Sequence, residues 1–247
     1  MAFAAIKDAK LTFHPALITR SSTTHLILHH AAAETLSVAA CHQEHKNRGW
    51  SGIGYNFYIQ KNGDIYCGRG WDKVGAHTEN YNSFSVGICC EGNYETNDNM
   101  PQAQKLSVIQ LIADACAKYP TIKTFGGHRE FGATACPGRY MPCALLIQAG
   151  KAYGGVYAAA NTLQNQGIVN TPSYWYQNFY RLDYTGDLIV RMANAPKVSG
   201  VNSIGTVSDA IDRLSQKGVI TTADYWLQNY GRLQYLGDLL MSAAKKI

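Results

Sequence analysis

The sequence predicts an α/β fold over roughly its first 150 residues and a small all-helical segment behind it. Three observations carry this. Between about residues 23 and 149, short apolar strands alternate with helical stretches, the pattern of a mixed central β-sheet flanked by helices. A hydrophobic fraction of 46% with 16% charged residues suits a globular chain of 247 residues and argues against disorder. After Gly150 the texture changes and the chain begins to repeat itself.

Taken in order, residues 24–28 (THLIL) read as a strand and residues 34–47 as a helix stopping near Gly49. Residues 55–60 and 64–67 form a hairpin around Asn62-Gly63, a dipeptide that tolerates the positive φ of a tight turn. Residues 85–90 (SVGICC) read as a buried strand. Residues 101–118 form an amphipathic helix with Pro at its start and Tyr-Pro past its end. Residues 123–125 make a short strand feeding a glycine-rich loop, and residues 142–151 a closing helix. The expected domains are 1–151 and 152–247.

Within the rear domain, QGIVNTPSYWYQNFYRLDYTGDL (166–188) returns as KGVITTADYWLQNYGRLQYLGDL (217–239). The matches include Gly167/Gly218, Tyr174/Tyr225, Trp175/Trp226, Asn178/Asn229, Leu182/Leu233, Tyr184/Tyr235 and Asp187/Asp238. Each copy, about 153–195 and 204–246, reads as two or three short helices, with residues 195–205 as linker. The aromatics either pack each small unit or serve a tandem binding module, in which two weak sites gain avidity on a repetitive polymer. The expected role is binding to such a polymer.

Composition narrows the partners. A net charge of +5 with scattered Lys and Arg excludes a dense nucleic-acid footprint and leaves weak attraction to an anionic polymer, bacterial cell wall among them. The longest apolar runs, 26–28 and 144–147, are too short for membrane insertion. The opening MAFAAIKDAKLTFH lacks the apolar core and cleavage site of a signal peptide, so a cytoplasmic location is expected. Seven cysteines (Cys41, Cys67, Cys89, Cys90, Cys116, Cys136 and Cys143) form no CxxC pair and read as small hydrophobes of a reducing compartment. Cys136 alone stands in a context that suggests chemistry.

That context is FGGHREFGATACPGRY (125–140), which sets His128 and Cys136 in one loop. A third donor is offered where TTHLILHHAAAE ends its strand in His29-His30. Side chains alternate along a strand, so only one of the pair can enter a shared site; alternation by itself does not choose. Two imidazoles and a thiolate suit zinc, and a catalytic zinc keeps its fourth position for water, whose pKa falls to about 7. Such a site suits amide hydrolysis.

LILHHAAA, HKNRGWSGIGYNFYI, GRGWDKVGAHTENYNSFSVGICCEGNY and GGHREFGATACPG together resemble the type 2 N-acetylmuramoyl-L-alanine amidases, which include phage lysozyme-type amidases and peptidoglycan recognition proteins. The resemblance covers roughly residues 23–150. It implies the amidase fold, zinc on His29, His128 and Cys136, an active-site tyrosine at Tyr55, and Thr134 where many phage members carry lysine. It also implies cleavage between N-acetylmuramic acid and L-alanine of peptidoglycan. Tyr55 would donate to the developing oxyanion or orient the water, and Thr134 would support the same intermediate. His77 falls on a position lining the substrate groove. Trp71 and Tyr81 either line that groove or pack the sheet. Arg129 is a substrate-binding candidate, with steadying the loop as its other reading. Glu91 is a candidate general base, or a solvated or capping acid at a strand end. His42 and His45, three apart on a helix, could mimic a second metal site but lack a third donor and read as surface or packing residues. The catalytic front, repeated rear and lack of a leader suggest a phage or prophage endolysin, released through a lesion made by another (holin-like) protein. The alternatives are a bacterial autolysin, a recycling amidase, or a non-catalytic peptidoglycan-binding protein.

Overall fold

The computed structural model describes residues 2–182 and 206–233, with the single positions 185, 188, 189, 192, 195, 239, 243 and 244. Two compact units divide the chain, Met1–Lys151 and Ala152–Ile247. No helix among the described residues is long and apolar enough to cross a membrane.

The first unit is built on six strands: β1 (Ile6–Asp8), β2 (His25–His30), β3 (Phe57–Ile59), β4 (Ile65–Cys67), β5 (Ser85–Cys90) and β6 (Thr124–Gly127). They lie in the order β1-β4-β3-β5-β2-β6. The β3–β4 hairpin is antiparallel and every other pairing parallel, so the sheet is mixed, as the sequence predicts. Its turn is held by Asn62, whose Oδ1 accepts from Asp64 N at 2.9 Å. Strand β5 is buried along its whole length, which is why it reads as an unbroken run of small and apolar residues rather than an alternation.

Register fixes the two faces. His29, Cys89 and Tyr58 stand opposite one another and therefore share a face. On that face Tyr58 and Cys89 pack with Ile53 and with Val38 and Cys41 of helix α1 (Val38–Asn47). The other face carries Leu28, Ile88 and Phe57. There Trp71 stacks on Phe57 with ring centroids 4.3 Å apart and reaches Tyr119, the residue that ends helix α2 (Gln102–Lys118). Helix α3 (Cys143–Asn165) starts against α2, where Gly150 meets Ile112 so closely that a Cβ would come within 2.5 Å of it.

Three elements depart from expectation. Strand β1 is a three-residue edge, Ile-Lys-Asp, too short and too polar to announce itself. Helix α1 starts at Val38 instead of residue 34, because Ser37 Oγ accepts from Ala40 N at 3.2 Å and sets the cap there. Helix α3 continues past residue 151 to Asn165, since Tyr153, Val156, Ala160 and Leu163 extend a buried stripe at helical spacing.

In the second unit each repeat shows the same local path. Gly167 and Gly218 turn with φ of 66° and 70°, and Ile168 N and Val219 N each close on a leucine carbonyl at 2.9 Å. Helix α4 (Pro172–Asn178) and a 3-10 turn at Phe179–Arg181 follow in the first copy. The second copy has α5 (Val207–Gln216), then α6 (Ala223–Asn229) and a 3-10 turn at Tyr230–Arg232. Trp175, Leu182, Trp226 and Leu233 are buried. The matched pairs Tyr184/Tyr235 and Asp187/Asp238, and residues 196–205 of the expected linker, lie outside the described residues.

Candidate metal centre

His29 sits near the end of β2, His128 follows β6 directly, and Cys136 closes the loop behind it. Because β6 pairs with β2 in parallel register, Leu28 against Gly127, the two histidines emerge side by side. One ligand atom from each of His29, His128 and Cys136 lies within 4.8 Å of the others. Among the described residues this is the one group of three His, Cys, Asp or Glu side chains so arranged. His29 Nδ1 is 3.6 Å from Cys136 Sγ. Its neighbour His30 points elsewhere, and its Nδ1 accepts from Tyr94 N at 3.1 Å.

The loop that carries Cys136 is tied down by its own residues. Arg129 N donates to Cys136 O at 2.7 Å, and the Arg129 guanidinium donates to Gly138 O. Thr134 Oγ1 accepts from Cys136 N at 3.2 Å. Gly138 has φ of 93° and lies flush on the Tyr94–Glu95 backbone, where a Cβ would stand 2.2 Å from Tyr94 C. A larger residue fits there neither sterically nor conformationally.

The electrostatics suit a cation. Burial, then the neighbouring histidines, holds His29 well below the ordinary imidazole range, and burial lowers His128 as well. Both rings are neutral at neutral pH and offer lone pairs. Burial pushes the Cys136 thiol up to about 11, so it becomes a thiolate at neutral pH only beside a positive charge. Two imidazoles and one such thiol form a donor set that fits zinc.

Around this group, the expected residues divide. Tyr55 lies beside it, its ring centroid 5.2 Å from that of His29 and 5.5 Å from that of His45. Thr134 is exposed on the loop two residues before Cys136. His77, expected to line a groove, is buried instead, and its Nδ1 lies 3.0 Å from His29 Nε2. Trp71 stacks on Phe57 on the face opposite His29, so it packs the sheet and does not bind at the site. Arg129 acts as the loop clamp just described. Glu91 does not join the group: its Oε1 accepts from Leu36 N (2.8 Å) and its Oε2 from Lys61 N (2.9 Å), which makes it a pin between loops rather than a free base. Tyr81 packs among His25, Phe84 and Phe131. His42 and His45 accept from the amides of Ile53 and Gly54 and hold the segment leading to Tyr55.

Beneath His29 lies a set of residues built around His77, in a role the sequence analysis does not give it. If Nδ1 of His29 gives its lone pair to a metal, its proton resides on Nε2 and is donated to His77 Nδ1, which also lies 3.0 Å from Thr78 Oγ1. His77 Nε2 then faces Ser85 Oγ at 3.4 Å, and Ser85 donates onward to Tyr81 O at 2.7 Å. The His77 ring fills a slot left by two glycines; a Cβ at Gly75 or Gly87 would lie 2.4 Å from its Cδ2. Asn82 Oδ1 accepts from both His77 N (2.7 Å) and Thr78 N (2.9 Å) and fixes the turn. The clue in the sequence is a histidine flanked by glycines on its own segment and on the strand it faces.

The family model described as N-acetylmuramoyl-L-alanine amidase matches residues 19–139. A peptidoglycan-recognition protein SC2 of Drosophila simulans is 40% identical over 129 residues, 48% of this chain and 70% of that protein. The endolysin of Klebsiella phage KP32 is 31% identical over 125 residues, 48% of this chain and 82% of the phage protein. Among solved structures, the N-acetylmuramoyl-L-alanine amidase LysC from Clostridium intestinale URNW superposes with a TM-score of 0.56 and 32% identity, over 58% of this chain and 95% of LysC.

Proposed function

The chain belongs to the N-acetylmuramoyl-L-alanine amidase family, and from that premise we propose that it hydrolyses the amide between N-acetylmuramic acid and L-alanine in bacterial peptidoglycan, as a phage or prophage endolysin. The observation that carries this reading is the convergence of His29, His128 and Cys136 within 4.8 Å beside Tyr55. Zinc held by these three would supply Lewis acidity toward the scissile carbonyl and toward water.

The chain's own residues do the rest. Tyr55 is protonated at neutral pH, and burial pushes its phenol still higher, so it serves as a hydrogen-bond donor to the oxygen that gains charge. Thr134 Oγ1 accepts from the Cys136 amide and keeps its own O–H for the substrate. His77 fixes the tautomer and plane of His29, and Arg129 holds the loop of Cys136 in place. The repeated rear unit would hold the enzyme on the wall, two weak sites gaining avidity on a repetitive polymer. In this reading the protein collects in the host cytoplasm until another protein opens the membrane.

The test is chemical. Incubation with purified walls should release free amino termini without reducing sugars. Cys136→Ala should lose both the bound zinc and that release. Wall binding with no new amino termini from zinc-loaded protein would leave a recognition protein in place of an enzyme.

A further inference from the structure

We infer that each repeat carries the same anion-binding site, anchored on Arg181 in the first copy and Arg232 in the second, and that it takes a carboxylate or phosphate group of the wall polymer. This rests on the reading that the rear unit acts on walls.

The two copies have diverged at many aligned positions, among them Tyr176/Leu227, Phe179/Tyr230 and Tyr180/Gly231. Most of what they still share has a reason within the fold. Trp175/Trp226 and Leu182/Leu233 are core, Gly167/Gly218 adopt positive φ, and Thr171/Thr222 precede helices. Gln177/Gln228 and Arg181/Arg232 are exposed in both copies and identical, with no such reason.

Their surroundings are duplicated too. Asn178 Nδ2 donates to Tyr174 O at 2.8 Å, which turns its Oδ1 toward Arg181 Nη1 at 3.0 Å. In the second copy Asn229 Nδ2 donates to Tyr225 O at 2.7 Å, and Arg232 Nη1 to Asn229 Oδ1 at 2.9 Å. Among the described residues neither guanidinium has a carboxylate partner. A guanidinium offers five N–H donors in a planar fork, and this tether uses one of them.

An exposed hydrogen bond of this kind adds little to stability, and fixing a long side chain costs conformational entropy. Kept in both copies, it does something else: it holds the fork in position before a ligand arrives, which lowers the cost of binding. The fork matches a planar or tetrahedral oxyanion. Both stem-peptide carboxylates and phosphodiester-linked wall polymers present such groups.

Sedimentation of the full-length protein with purified Gram-positive walls tests this. The pair Arg181→Gln with Arg232→Gln should raise the half-saturating wall concentration at least ~10-fold, and each single change should fall between, as avidity requires. Wild-type binding should weaken steeply with added salt. Cleavage of a soluble muropeptide should stay unchanged in all variants; its absence in the wild type would count against the amidase reading and not against this site. Walls extracted with hydrofluoric acid distinguish the sources: lost binding identifies the phosphodiester polymer, retained binding the stem carboxylate. Should the Gln pair lower the melting midpoint, Arg181→Lys with Arg232→Lys decides, since it keeps the charge and removes the fork; weakened binding supports the site. Wild-type affinity in the folded double variant, or binding indifferent to salt, overturns it.

Discussion

At the scale of single residues, the partners of two adjacent histidines decide which of them joins the candidate metal centre. His128 and Cys136 stand in one loop, and the strand ending in His29-His30 offers the third ligand, but alternation could not choose between the two. The choice comes from what each ring meets: the Tyr94 amide takes His30, and His77 takes the far nitrogen of His29. Because His77 Nδ1 is the acceptor, His77→Ala should weaken zinc affinity by ~10- to 100-fold, measured by chelator competition. His77→Asn, which returns an acceptor near the same place, should recover part of that loss and of the cobalt(II) spectrum. Equal affinity in all three proteins would remove the positioning role. Acid should also weaken the metal-free protein. Burial holds His77 near 3 and His45 near 4, below the value of about 6.5 in an unfolded chain. Between those values the unfolded chain binds more protons, so this stability is complete above about pH 6.5 and is lost as the pH falls toward 4. A melting temperature that falls across that window checks it.

At the scale of elements, long buried segments were easiest to read. Strand β5 and helix α2 lie where their apolar runs and bounding Pro place them. Strand β1 was missed because three residues pairing only at an edge carry no periodicity. Helix α3 runs past the expected end at residue 151 because the buried stripe through Tyr153, Val156 and Ala160 overrides two weak formers, Gly154 and Gly155. The same principle, packing over propensity, makes Gly87 indispensable. Its strand could accept alanine by conformation, but the added Cβ would press on the His77 ring at 2.4 Å. Gly87→Ala should cost about 1–3 kcal/mol in denaturant unfolding and weaken zinc binding together. A stability loss without a metal effect would mean that the ring relaxes away from β5 and not from His29.

At the scale of the whole molecule, the chain divides into two units, Met1–Lys151 and Ala152–Ile247, and the proposed function gives each its own task. The side chains of the candidate metal centre all belong to the first. A chain ending at Lys151 should therefore cleave soluble muropeptides at close to the full-length rate while clearing intact walls more slowly; equal clearing by both forms would end the anchoring role of the repeats. That second unit was visible to the sequence as a repetition, whereas its exposed Arg–Asn tethers were not, since a pattern of identities does not say which of them face water.

Strand β6 is the last of the sheet to be made, and 107 positions separate His29 from Cys136. A ribosome must therefore finish nearly the entire front half before the donors can meet. A chain stopped short of Cys136 lacks the third donor however much of the sheet it has already folded, so metal loading waits on that residue and not on the repeats behind it.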